Sequence, residues 1–110
     1  MSLIDKLILP EKHTTERDFY EVIESHLTYL KNHPSTRLTT VQPDQAAIYK
    51  GDFFGLLNSM GVDKKYHYPI MRVSGYLSSS DYNGLDLELY MPSEEVVNEI
   101  MTVYLSREEN

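Results

Sequence analysis

From Leu85 to Met91 the sequence alternates without a break: Leu85, Leu87, Leu89 and Met91 are apolar, and Asp86, Glu88 and Tyr90 stand between them. A period of two puts the four apolar residues on one side of an extended chain, so the stretch reads as a half-buried strand. Such a strand needs a partner for its backbone groups and a cover for its apolar side. Pro92 ends it. Ser93 then opens a helix, because its hydroxyl can accept from an orphan backbone N–H, and Glu94 and Glu95 stand where the helix dipole favours negative charge. Val96, Val97, Ile100, Met101 and Tyr104 give this last helix its apolar stripe.

The segment Tyr66 to Tyr76 is the expected partner, joined to the strand by the loop Ser78-Ser79-Ser80-Asp81-Tyr82-Asn83-Gly84. A register with Val73 opposite Leu87 and Met71 opposite Leu89 buries all four and sets Arg72 opposite Glu88 on the other face. That second face then carries Tyr66, Tyr68, Ile70, Tyr76 and Tyr90.

Upstream, Thr15 with Asp18 resembles a capping box, and Phe19, Val22, Ile23, His26, Leu27 and Leu30 follow a helical period. A helix is predicted over residues 15–32, closed by Asn32 and Pro34. Thr36 to Val41 reads as a short strand limited by Pro43. Asp44 to Tyr49 reads as a helical turn closed by Gly51, after which Asp52 caps a helix carrying Phe53, Phe54, Leu56, Leu57 and Met60 and stopping at Gly61. The fold class that follows is α+β: a small antiparallel β-hairpin sheet packed against three or four helices, in a single domain over residues 1–110.

Composition narrows the function classes. The 110 residues suit one domain, and 41% hydrophobic with 25% charged residues suits a folded one. A net charge of −7 argues against nucleic acid as a partner, since neutralising phosphates takes a basic stripe. The absence of Cys excludes disulfides and thiolate chemistry and allows folding in the cytoplasm. The run Leu3 to Leu9, interrupted by Asp5 and Lys6, is shorter than a signal core or the roughly 20 residues that span a bilayer, so no membrane association is expected.

No set of residues points to catalysis, a metal or a cofactor. The four histidines, His13, His26, His33 and His67, lack the spacing that puts two imidazoles on one ion, and His26 and His67 read as packed, hydrogen-bonded residues. The stretch Asp81 to Asp86 has a calcium-loop flavour, yet aligning Asn83-Gly84 with such a loop leaves Ser79 first and Tyr90 last, where an Asp and a bidentate Glu are wanted. Asp86 and Glu88 share a strand face, but Arg72 beside them suggests a structural ion pair rather than an acid-base pair.

The face bearing Tyr66, Tyr68, Ile70, Tyr76 and Tyr90 is the candidate protein interface. Nine Tyr and no Trp occur in the chain, and a large ring with a polar tip suits a partner contact. The competing reading is that the chain's own first helix covers that face. The run Tyr66-His67-Tyr68-Pro69-Ile70-Met71-Arg72-Val73-Ser74-Gly75-Tyr76, the Ser/Asp loop and Leu85 to Pro92 together resemble small structural proteins of tailed-bacteriophage tails and baseplates. The resemblance covers roughly the C-terminal half and implies a virion subunit made in the host cytoplasm, acting through contacts with other protein subunits and without catalysis. The alternative is a small acidic regulator or inhibitor occupying a basic site on a partner protein, which would let go as salt rises.

Overall fold

A computed structural model of the chain describes the backbone of residues 16–108 and the side chains of residues 18–104. The first helix, α1 (Glu16–Glu24), is followed directly by α2 (Leu27–Asn32) instead of running on as one element. The break has a local cause. The Val22 carbonyl, which would accept the His26 N–H in a continuous helix, accepts the Ser25 hydroxyl at 2.9 Å and His26 Nδ1 at 2.8 Å, and the His26 N–H turns to the Ile23 carbonyl. The expected cap at Thr15 lies outside the described residues.

The chain then forms β1 (Arg37–Thr40), α3 (Pro43–Ile48) and α4 (Phe53–Ser59), close to the sequence expectation. Asp52 Oδ1 caps α4 by accepting the Gly55 N–H at 3.0 Å. The glycine that weakens this helix is required by that cap, because a Cβ there would lie 2.2 Å from Asp52 Oδ2. A 3-10 turn, Lys64–Tyr66, leads into α5 (His67–Val73); a second, Ser79–Asp81, precedes β2 (Glu88–Met91); and α6 (Glu94–Glu108) follows. Ser93 caps α6 as expected, its Oγ accepting the Val96 N–H at 3.1 Å.

The α+β class and the small antiparallel sheet hold, but the sheet is not a hairpin and the described residues carry six α-helices rather than three or four. The two strands are β1 and β2, in the register Arg37 to Met91, Leu38 to Tyr90, Thr39 to Leu89 and Thr40 to Glu88. The pairs Val73–Leu87, Met71–Leu89 and Arg72–Glu88 do not form, because Tyr66 to Val73 is helical. Pro69 explains the preference: it lacks an N–H and would delete a ladder bond in a strand, whereas as third residue of α5 it stands where no intrahelical donor is needed. Asp63 initiates the turn by accepting the Lys65 N–H, and Gly75 at φ +102° stops the helix.

Strand β2 is also shorter than the alternation suggests. Asn83 Oδ1 accepts the N–H groups of Leu85 and Asp86 and holds that stretch as a turn. Leu85 is therefore 79% exposed, Leu87 is half-buried, and Leu89 is fully buried. The core gathers Ile23, Leu30, Phe53, Leu56, Leu57, Ile70, Met71, Leu89 and Val97 around α5, which packs against α1, α2, α4 and β2. The segment read as an outer strand is the central helix.

Candidate functional site

The placement of α5 decides the fate of the five predicted interface residues. Tyr66, Ile70 and Tyr76 are buried in the core, and Tyr68 and Tyr90 are half-buried, so the five share no outward face. On a helix Tyr66 and Ile70 stack one turn apart and point inward, while Tyr68 and Arg72 share the next stripe. The Tyr66 hydroxyl donates to Asn98 on α6 at 3.2 Å. Tyr90 lies opposite Leu38, with Lys31 Nζ over its ring at 5.0 Å.

Tyr68 and Arg72 converge on Glu24 at the end of α1. Arg72 holds the carboxylate with two bonds, Nε to Oε2 at 2.5 Å and Nη2 to Oε1 at 2.9 Å, and Tyr68 donates to Oε2 at 2.6 Å. The Tyr68 ring stacks on Tyr20 at 4.2 Å. The hydrogen bonds from Arg72 hold the Glu24 carboxyl below its ordinary value, and burial, followed by the bond to Glu24, pushes the Tyr68 hydroxyl up to about 12. Every member points at another, so the cluster ties α1 to α5 and presents no group poised to react.

A second polar knot lies under the turn before β2. Tyr76 donates to the Asp86 carboxylate and Tyr82 donates to the Asp86 carbonyl at 2.6 Å, with both rings packed on Phe53. Burial raises both hydroxyls above their ordinary value, helped by the Asp86 bond for Tyr76 and by the Asp86 charge for Tyr82. Asp81 accepts the Ser78 N–H. The oxygens with a calcium-loop spacing are thus engaged by the chain itself, and no group of three potential metal ligands occurs among the described residues. His67 is the hydrogen-bonded core histidine expected, donating from Nε2 to the Val62 carbonyl at 2.9 Å.

One surface feature open to a partner is a groove of about 610 Å³ between the α1–α2 segment and α6. Val22 and Ile100 form its apolar floor, Val103 and Tyr29 stand exposed beside them at 57% and 52%, and Ser25, His26, Tyr104, Glu21 and Glu99 complete the lining. The carboxylates continue along the solvent face of α6 as Glu94 and Glu95. The sequence gives each helix its stripe, but not the fact that Tyr29 and Val103 come to the same opening. No helix among the described residues is long and apolar enough to cross a membrane. Comparison of the chain with protein-family models, with curated proteins and with solved structures finds no match.

Proposed function

We propose that this chain works by protein contact, as a structural subunit of a larger assembly, and that the α1/α6 groove is its contact site. The observation that carries the reading is the chemistry of the groove: an apolar floor with two exposed large side chains, beside carboxylates of a chain whose net charge is −7. Such a surface fits a partner segment that is apolar on one side and carries Lys or Arg next to it. A tail or baseplate subunit of a tailed bacteriophage, made in the host cytoplasm and carried in the virion, is the form of this function that the C-terminal resemblance supports.

A photoreactive residue at Val103, with one at the exposed Ile48 as control, tests the reading in assembled particles or in the cells that make them. Cross-linking from 103 alone, to a peptide with large apolar residues flanked by Lys or Arg, is the expected result. Equal labelling from both positions, or a peptide rich in carboxylates, refutes it. A second reading, the acidic regulator, is favoured by the exposed row Glu94, Glu95 and Glu99. Salt separates the two: a complex held by that row dissociates between about 0.1 M and 1 M salt as the Debye length falls from roughly 10 Å to 3 Å, while one held by the groove floor persists.

A further inference from the structure

Two apolar surfaces of this chain match each other. At helical spacing Leu3, Ile4, Leu7 and Ile8 fall on one face of the segment 3–9, with Lys6 on its flank. The segment lies ahead of the described residues, which begin at Glu16. The groove offers the counterpart: Val22 and Ile100 as floor, Val103 and Tyr29 exposed beside it, and the Glu99 carboxylate at the rim. The dimensions agree. A helix over 3–9 is about 10 Å long, and the lining from Glu21 to Tyr29 runs roughly 12 Å.

We propose that residues 3–9 fold back as a short amphipathic helix and lie in this groove of their own chain until a partner displaces them. The connection allows it. Residues 10–15 join the segment to Glu16 at the start of α1 and span up to about 20 Å when extended. Glu21, the first groove residue, stands about 8 Å along α1 from Glu16, and the axis of a docked helix lies about 10 Å to the side. Pro10 ends a helix arriving from Leu9, so the segment does not run on into α1 and the chain can reverse there.

Tethering and charge select this segment over other occupants. A link this short holds the segment at about millimolar effective concentration, which a foreign peptide or a second copy has to exceed. A second copy also brings a net charge of −7 against the same charge. In the N-terminal segment Lys6 and Lys12 balance Asp5 and Glu11, so it meets the acidic rim without that repulsion. Resting on the groove as the proposed contact site, this docking adds its regulation: the segment covers the groove in the free chain, and an incoming subunit with the same pattern of apolar residues and Lys takes its place.

The purified, unassembled full chain tests the docking, with a photoreactive residue at 103 and the control at the exposed Ile48. An adduct between residue 103 and a peptide from residues 1–12 is expected, absent from position 48 and unchanged in yield on dilution. A mixture of isotopically heavy and light chains should give no heavy–light adduct. Leu7→Glu should remove most of the adduct, because it presses a carboxylate onto the apolar floor beside Glu99, and Ile4→Glu serves if the first variant does not fold. Adducts confined to α1, α2 and α6, heavy–light adducts, or a yield that ignores both substitutions overturns the proposal. In assembled particles the adduct of residue 103 should move to a neighbouring subunit. Capture of a neighbour there with no internal adduct in the free chain overturns the docking and keeps the contact-site reading. An internal adduct that persists in the particles keeps the docking and overturns that reading.

Discussion

Raising the pH above 10 is expected to weaken the fold through Tyr68. An unfolded tyrosine ionises near pH 10, whereas in the fold the Tyr68 hydroxyl is pushed up to about 12 by burial and by its bond to Glu24. The stability this adds is fully present below pH 10 and is lost as the pH climbs from 10 toward 12, because only the unfolded chain sheds the proton in that window. A fully raised group tilts the unfolding free energy by at most about 1.4 kcal/mol per pH unit, and because solvent screens the partly exposed Tyr68 and its bond to Glu24, its contribution between pH 10 and 11.5 is about 1 kcal/mol. Tyr76 and Tyr82, both raised, slope the same way. The assay is urea unfolding at half-unit steps from pH 8.5 to 11.5, for the natural chain and for Tyr68→Phe. The stability gap between the two should narrow above pH 10, with the phenolate absorbance of the folded natural chain appearing late. Parallel curves would show that the Tyr68–Glu24 bond does not persist in solution.

Further outcomes follow from single contacts. Gly55→Ala should destabilise despite the roughly 1 kcal/mol gain in helix propensity, because the new Cβ meets the Asp52 cap; in an Asp52→Ala background the same change should stabilise, and a thermal midpoint that rises in both backgrounds counts against the cap. Leu89→Ala should cost about 2 to 5 kcal/mol while Leu85→Ala stays within about 0.5 kcal/mol, and comparable shifts in chemical denaturation would mean that β2 begins earlier than Glu88. Arg72→Met should loosen the junction of α1 with α5, read as faster amide exchange in α1, and unchanged exchange would make the ion pair incidental.

How far the sequence carries depends on whether a signal is local. Asp52 before Phe53, Ser93 before Glu94, and the β-branched run at Thr36 to Val41 act within a turn of the chain, and the structure has each where it is expected. Tyr66 to Val73 fails because its pattern serves two periods. Tyr66, Tyr68 and Ile70 alternate as in a strand, while Tyr66, Ile70 and Val73 recur as on a helix, and hydrophobicity does not choose between them. Pro69 and Asp63 do, by removing a ladder donor and offering a cap. The pairing of Glu24 with Arg72 and the meeting of Tyr29 with Val103 depend on how α1 crosses α5 and how α2 lies against α6, and no local rule supplies those placements.

The buried tyrosines suggest why richness in this residue misleads about contact surfaces. A small core leaves rings within reach of solvent at its margins, and each buried ring here sends its hydroxyl to a fixed acceptor: Tyr66 to Asn98, Tyr76 to Asp86, and Tyr82 to the Asp86 carbonyl. No buried side-chain nitrogen or oxygen among the described residues lacks a partner. Tyrosine thus closes the core at its polar rim, its ring packed inside and its hydroxyl reaching out to the solvent-exposed residues Asn98 and Asp86. The surface proposed for contact is of a different kind, the aliphatic side chains of the groove beside its carboxylates. Removing a buried tyrosine should therefore lower stability and association together, since association fails only as the fold does. Val103→Glu should lower association alone, and this separation marks a contact surface apart from the core beneath it.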